Sequence, residues 1–212
     1  EDPEGWACEA RRYYFGIVGK FGAQVQALLK KAAAVDIQTV CPLHGPVLTG
    51  EELAEALRLY DIWSRYDVES EGVMIAYASV YGNTEKAAQL LAEKLKEQGC
   101  PKVVLTCLQR EDWAEAVEDA FRYGKLVLAA PTYNGFLFPA MREFIEHLTE
   151  RNYQNRQVAF IENGSWAPAA AKEMKKLLEG CKNVTLGSTV TIRSAMTEET
   201  PAQLDALAQE LR

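Results

Sequence analysis

The chain has 212 residues, of which 48% are apolar and 25% charged, and its formal net charge is −7 at neutral pH. This composition is typical of a folded globular protein and excludes global disorder and fibrous repeats. The negative charge argues against nucleic-acid binding, because neutralising phosphates requires clustered lysine and arginine. The mean hydropathy is −0.19, and no apolar run approaches the roughly 18 residues of a membrane helix, so the sequence predicts no contact with a membrane.

The sequence contains five cysteines, none of them in a C-x-x-C pair: Cys8, Cys41, Cys100, Cys107 and Cys181. An odd number without that spacing favours reduced thiols in a cytoplasmic protein over a disulfide framework or a zinc site. The opening residues, Glu1 to Trp6, are acidic and polar, which is not the pattern of a secretory signal.

Residues 1–70 contain an incomplete set of predicted elements. The sequence predicts a helix over Gly22–Ala34, a short strand over Ile37–Val40 and a long helix over Glu51–Asp67. One short strand cannot form a sheet, so we predict that residues 1–70 are the end of a larger domain. The polar residues Glu69–Gly72 are predicted to be a linker. The net charge is −5 over residues 1–71 and −2 over residues 72–212, which also indicates two unlike parts.

Residues 71–212 alternate apolar runs with amphipathic helical patterns. The runs are Val73–Ala78, Val103–Cys107, Leu126–Ala130, Val158–Ile161 and Val184–Ile192, the last interrupted by Gly187 at a predicted bulge. Nearly continuous apolar runs are typical of parallel strands buried on both faces. Five such βα units predict an α/β fold, a three-layer αβα sandwich with strand order 2-1-3-4-5 and ligands at the carboxyl ends of the strands.

Helices are predicted to follow each of these runs. They begin at Thr84, Asp112, Pro139 and Trp166, and the last opens with a capping box at Thr200–Gln203.

The first strand leads through a short polar loop directly into a helix. The loop residues are Ser79, Val80, Tyr81, Gly82, Asn83 and Thr84. Backbone N–H groups at a helix N-terminus lack internal partners, and the helix dipole favours negative charge there. No lysine follows as in a nucleoside-triphosphate loop, and no G-x-G-x-x-G is present. The pattern therefore indicates a terminal phosphate held by neutral donors.

Two further loops follow neighbouring strands and combine aromatic, amide and hydroxyl groups. The first contains Pro131, Thr132, Tyr133, Asn134 and Gly135, and the second contains Asn163, Gly164, Ser165 and Trp166. A planar heteroaromatic ring needs stacking faces and donors along its edge. Two alternatives stay open from the residues alone: Trp166 as a core-packing residue at a helix start, and Tyr133 as a plain surface residue.

These loops together resemble the FMN site of flavodoxin, an electron-carrier fold. Its phosphate motif, T/S-x-T-G-x-T, is matched from Ser79 to Thr84, with Tyr81 in place of a threonine. The S-x-Y-G-N-T form resembles the flavodoxin-like domain of flavodiiron proteins, in which a metallo-β-lactamase-like domain with a diiron centre precedes the FMN domain. The resemblance implies that FMN is the cofactor, with its phosphate on Ser79, Thr84 and the amides between Tyr81 and Thr84.

The N-terminal part resembles the end of that metallo-β-lactamase-like domain. The matching residues are Glu9–Tyr14 and Pro42–Pro46, in which His44 matches the last iron-ligand histidine of the family. The family's other iron ligands have no counterpart, and we expect His147 to be a helix-surface residue. A non-haem diiron site needs several histidine and carboxylate ligands, so we expect no iron at His44 and a diiron centre only in a full-length protein.

The resemblance implies an electron-transfer domain that relays electrons to a diiron site reducing O2 or NO, incomplete in this chain. It also implies a homodimer for the full-length protein and a separate redox donor, either rubredoxin or a reductase-like protein. This chain alone is expected to transfer electrons without reducing O2 or NO. The alternatives are a free flavodoxin-like carrier, an NAD(P)H-dependent flavin reductase and a signalling domain of the response-regulator type.

Overall fold

The structure is a computed structural model that describes residues 5–212, so residues 1–4 of the acidic opening lie outside the described residues. The first helices form a nearly continuous segment. They are α1 (Trp6–Tyr13), a π-helical turn (Tyr14–Val18), a 3-10 turn (Gly19–Phe21) and α2 (Gly22–Ala32). An antiparallel pair, β1 (Thr39–Val40) and β2 (Leu48–Thr49), then leads into α3 (Gly50–Arg65). The two predicted helices are confirmed with shorter ends, whereas β2 was not predicted.

The rest of the chain alternates strands and helices. The strands are β3 (Ser70–Tyr77), β4 (Val103–Cys107), β5 (Tyr123–Tyr133), β6 (Phe136–Leu137), β7 (Arg156–Asn163) and β8 (Val184–Ile192). The helices are α4 (Asn83–Glu97), α5 (Trp113–Arg122), α6 (Pro139–Glu150), α7 (Ala170–Leu178) and α8 (Thr200–Glu210).

Five strands form a parallel sheet in the order β4-β3-β5-β7-β8, which confirms the predicted topology. The predicted bulge is also confirmed: Val158 pairs with Leu186 and Phe160 with Thr189, so two residues of β8 lie opposite one of β7. The short strand β6 pairs antiparallel with the end of β5 and was not predicted.

The two faces of the sheet carry separate hydrophobic cores, as β3 illustrates. Met74 and Ala76 belong to one core, while Val73 and Ile75 belong to the other. All four side chains are buried because helices cover both faces. The side-chain alternation of a strand therefore explains why the sequence shows a continuous apolar run.

The first of these cores extends into the N-terminal segment, residues 5–69. Tyr14 and Trp63 are buried in it, and Phe15 stacks on Phe121 of α5 with ring centroids 4.2 Å apart. Residues on both sides of the proposed domain boundary at residue 70 therefore pack in the same hydrophobic core.

A buried ion cluster joins the same two parts. Arg11 donates to Glu69 at 2.8 and 2.6 Å and to Glu118 at 3.3 Å. Trp63 Nε1 donates to Glu69 at 2.6 Å. The prediction of a linker over Glu69–Gly72 was wrong, because Glu69 is paired inside the protein and the other three residues belong to β3. A glutamate such as Glu69 is expected from the sequence to be exposed, because its buried partner Arg11 is distant in the sequence and is brought to it only by the fold.

One predicted helix start and one predicted helix cap were also wrong. The helix expected from Trp166 begins at Ala170, after a loop that contains Pro168. Thr200 is the first residue of α8 and not its cap, since its hydroxyl accepts from the Thr197 N–H at 2.9 Å outside the helix.

Candidate functional site

The loop between β3 and α4 places the N-terminus of α4 at the carboxyl edge of the sheet. Gly82 has a φ of +81°, and a Cβ there would meet nothing within 4 Å, so glycine is favoured by backbone conformation and not by space. Helix α4 is fixed by its apolar face, with Ala88 and Leu91 fully buried. Its second residue, Thr84, is 2% exposed.

Ser79 lies at the start of this loop. Its N–H donates to Gln109 Oε1 at 2.7 Å, which ties the loop to the segment after β4. Its hydroxyl oxygen is buried and has no hydrogen-bond partner among residues 5–212. A buried polar atom without a partner is unfavourable unless a ligand or water satisfies it.

Tyr77, two residues before Ser79, is the last residue of β3. Its hydroxyl donates to Glu85 Oε1 at 3.0 Å. Burial, together with this hydrogen bond, raises the pKa of Tyr77, so the phenol stays neutral below the loop.

The loop after β5 is a tight hairpin. Asn134 and Gly135 have φ values of +50° and +77° and form the two-residue connection from β5 to β6, the Asn-Gly turn typical of such hairpins. Tyr133 is 52% exposed, and its ring packs edge-on against that of Phe138 with ring centroids 5.5 Å apart. The Asn-Gly pair was the sequence signal for β6.

Thr132 and Gly164 pack the second loop against the third. The Thr132 hydroxyl oxygen accepts from the N–H groups of Ala169 and Ala170 at 2.9 and 3.2 Å and so caps the start of α7. A Cβ on Gly164 would lie 2.9 Å from Pro168 Cα and 3.1 Å from Thr132 Oγ1. The close approach of the two loops therefore requires glycine at position 164.

The loop after β7 presents Trp166 to solvent, with 90% of the residue exposed. The alternative of a core-packing tryptophan at a helix start was therefore wrong. Asn163 is buried, and its side chain bonds the backbone of Ser194, a residue in the loop after β8.

The three predicted loops line one cavity of about 510 Å³. Every residue predicted to bind FMN except Gly82 contributes to its wall, and Ala167 and Ser194 contribute as well. Gly82 shapes the backbone beside the cavity instead. Among the described residues that line the cavity, none carries a charge. Nothing in the sequence marked Ser194, because it follows an ordinary-looking strand in a polar segment.

The model of one protein family, described as a flavodoxin domain, matches residues 74–186. The chain belongs to the flavodoxin-domain family. The match extends from β3 into β8 and includes all three loops predicted to form the site.

Comparison with individual proteins extends the likeness beyond the flavodoxin domain. A diflavin flavoprotein of Synechocystis sp. is 36% identical over 138 residues, 62% of this chain and 22% of its own length. The rubredoxin-oxygen oxidoreductase of Megalodesulfovibrio gigas is 23% identical over 206 residues, 95% of this chain and 50% of its own length. This chain therefore spans half or less of these relatives.

A solved structure shows the same fold over nearly the whole chain. The flavodiiron protein of Giardia intestinalis superposes with a TM-score of 0.85 at 23% identity, over 95% of this chain and 50% of its own. The N-terminal segment thus shares the fold of flavodiiron proteins together with the flavodoxin domain.

His44 lies outside the flavodoxin domain in a second cavity of about 710 Å³. Its ring centroid is 5.7 Å from that of Tyr13. Within residues 5–212, no group of three or more histidine, cysteine, aspartate or glutamate side chains is placed to hold a metal ion. The described side chains around His44 therefore do not fit a diiron centre.

His147 lies on α6, as predicted, and stacks on Trp113 with ring centroids 4.3 Å apart. The Trp113 ring partly covers the histidine, which lies away from the flavodoxin cavity.

In the described part of the chain, no helix is both long and apolar enough to cross a membrane.

Proposed function

We propose that this chain is the FMN-binding electron-transfer part of a flavodiiron-type protein. The observation that carries the proposal is the uncharged cavity at the carboxyl ends of the strands. It combines a helix N-terminus and the unpartnered Ser79 hydroxyl with an exposed tryptophan. FMN has the matching chemistry, since it joins a terminal phosphate to a planar ring.

The phosphate would be held by the loop before α4. The Ser79 and Thr84 hydroxyls and the N–H groups of residues 81–84 are the available donors, and the helix dipole adds positive potential. An anion satisfies the Ser79 hydroxyl, which otherwise stays buried without a partner.

The ring would be held by the other two loops. Trp166 offers a stacking face, and Tyr133 with the Asn134-Gly135 turn offers a second aromatic and backbone donors. When bound, FMN supplies the group that accepts and donates electrons, and the protein tunes it through stacking, hydrogen bonds and local charge. The uncharged wall leaves hydrogen bonds and stacking as the principal means of tuning.

The relatives support a proposal for the wider role. One of them is named for oxidoreduction between rubredoxin and oxygen, so we propose a separate redox donor of that class and O2 or NO as the final acceptor in a full-length homodimer. The described residues offer no complete metal site, and the role proposed for this chain is therefore electron relay. Within residues 5–212, which include all five cysteines, no disulfide is formed, which supports a cytoplasmic setting.

The test is a fluorescence titration of flavin-free protein with FMN and, separately, riboflavin. We expect one FMN per chain, with riboflavin at least about tenfold weaker because it lacks the phosphate and its charge-assisted hydrogen bonds. Absence of binding by either flavin would reject the proposed function. Equal affinities for FMN and riboflavin would reject the proposed phosphate-binding role of the loop before α4, but not the presence of a flavin site.

The same sample distinguishes the competing oxidoreductases. An electron relay should not oxidise NADH or NADPH unless a reductase is added. Steady turnover of either nucleotide by the FMN-loaded chain alone would favour the flavin reductase instead.

A further inference from the structure

The loop after β8 has an unusual backbone at Ser194. Its φ is +67°, and the Ala195 N–H donates to the Arg193 carbonyl at 3.0 Å, so Ser194 is the central residue of a γ-turn. A positive φ is unfavourable for a residue with a Cβ, and such strain persists only where surrounding contacts impose it. Ser194 also lines the cavity.

The imposing contacts come from the loop after β7. Asn163 Nδ2 donates to the Ser194 carbonyl at 2.9 Å, and Asn163 Oδ1 accepts from the Ser194 N–H at 3.0 Å. The Gly164 N–H donates to the Ile192 carbonyl at 3.0 Å and continues the pairing of β7 with β8. Asn163 thus uses its amide to hold Ser194 in place, leaving little of it for a ligand.

This arrangement brings two hydroxyls together in the cavity wall. Ser194 Oγ and Ser165 Oγ are 3.1 Å apart, and both residues line the cavity. One hydroxyl hydrogen is used between them, which leaves the second free to donate elsewhere. The pair therefore presents a single directed donor to a ligand.

The position of the pair indicates which part of FMN it meets. Two strands, β5 and β7, separate β3 from β8, which places the pair roughly 14 Å across the sheet from the phosphate loop at about 4.8 Å per strand. A flavin held by its phosphate at the N-terminus of α4 would extend its ring along the cavity wall toward this end. The polar edge of that ring carries carbonyl oxygens and ring nitrogens that accept hydrogen bonds.

We infer that Ser194 and Ser165 form a fourth wall of the site and donate a hydrogen bond to the polar edge of the flavin ring, with Asn163 as the positioning residue. This inference rests on the proposed function and adds to it a loop outside the three expected ones. Because reduction adds negative charge to that edge, the donor should favour reduced FMN over oxidised FMN.

The test compares Ser194→Ala and Ser194→Gly with the unmodified chain, using FMN and riboflavin. Both variants should weaken FMN binding roughly threefold to tenfold, the effect of one hydrogen bond. They should weaken riboflavin by the same factor, because the lost contact is to the ring. Glycine relieves the positive φ, so Ser194→Gly stays folded if Ser194→Ala does not.

A second readout separates a ring contact from a general loosening of the loop. The ratio of the dissociation constants for oxidised and reduced FMN should fall in both variants. Asn163→Ala should lower the same ratio without adding to the effect of Ser194→Gly. Unchanged flavin affinities and an unchanged ratio would overturn the inference while leaving the flavin function intact, whereas absence of flavin binding by the unmodified chain would overturn both.

Discussion

Two regions of this molecule handle polar groups in opposite ways. At the junction between the N-terminal segment and the flavodoxin domain, Arg11 is 1% exposed and its charge is matched by Glu69 and Glu118. At the cavity no lining residue is charged, and Ser79 keeps a buried hydroxyl without a partner. Arg156 adds to the junction by donating to the carbonyls of Tyr66 and Asp67.

The polar groups at the junction contribute to stability, whereas those at the cavity are available for binding. When two buried polar groups bond to each other, removing one leaves the other without that partner and lowers the free energy of unfolding. Polar groups that face a cavity are available to a ligand, and their removal costs affinity more than stability. Variants in the two regions should therefore fail in different assays.

The largest expected effect is at the junction. Arg11→Ala would remove the buried guanidinium that pairs with Glu69 and Glu118, whose side chains are 6% and 4% exposed, so we expect a loss of about 3–5 kcal/mol in the free energy of unfolding. Urea unfolding measures this. The folded fraction should still bind FMN at the same stoichiometry, because Arg11 lies outside the cavity wall.

The matched control is Arg58→Ala on α3. Arg58 and Glu55 form an ion pair at 2.7 Å with side chains 52% and 44% exposed, and exposed pairs contribute less than about 1 kcal/mol. Equal losses for Arg11→Ala and Arg58→Ala would contradict the account of the junction.

The next effect is at the phosphate loop. Thr84→Val keeps the shape of the buried side chain and removes its hydroxyl, so the FMN dissociation constant should rise about tenfold to a hundredfold through loss of a charge-assisted hydrogen bond. Isothermal titration with FMN and riboflavin measures it. Riboflavin affinity should not change, and Thr84→Ser should retain tight FMN binding. A parallel loss for riboflavin would show that Thr84 does not act on the phosphate.

The junction also predicts a dependence on pH. Burial raises the pKa of Glu118 from 4.5 to about 7, although Arg11 opposes the rise. The folded chain thus binds this proton more tightly than the unfolded chain does, so stability is lost as pH rises from about 4.5 to 7. Between pH 5 and 8, the free energy of unfolding should fall by about 1–3 kcal/mol less in Glu118→Gln than in the unmodified chain. Urea unfolding at several pH values measures this difference.

Glu115→Gln on the same helix is the control for that comparison. The Glu115 side chain is 57% exposed, so its pH profile should match that of the unmodified chain. A Glu118→Gln profile that also matches would show that Glu118 does not titrate in this range.

The smallest effect is expected at Trp166. Because this residue is 90% exposed, Trp166→Ala should change the free energy of unfolding by less than about 0.5 kcal/mol. The loss of a stacking face should raise the FMN dissociation constant roughly threefold to tenfold. Trp113→Ala, which removes the stack on His147, should instead leave FMN affinity unchanged. Unchanged affinity in Trp166→Ala would remove Trp166 from the ring site.

Local signals in the sequence were enough to predict the sheet and most of the cavity wall. Short continuous apolar runs are typical of strands covered on both faces, and Gly187 indicated the bulge because glycine inside a strand often accompanies one. The loops were predictable because the parallel topology brings the ends of β3, β5 and β7 to one edge.

The remaining features depend on contacts distant in sequence. Arg11 lies 58 positions from Glu69 and 107 from Glu118, and a charged residue gives no local sign of burial. Ser194 joins the cavity because Asn163, 31 positions earlier, holds its backbone. The helix predicted from Trp166 failed for a similar reason, since Thr132 caps α7 at Ala169 and Ala170.

FMN binding by this chain is tested most directly by a visible absorption spectrum of the purified protein after incubation with FMN and desalting, with FMN and iron quantified on the same sample. We predict a bound-flavin spectrum, one FMN per chain and iron far below one per chain. A colourless protein that retains no FMN would contradict the assignment of the cavity, and stoichiometric iron would contradict the incomplete metal site at His44.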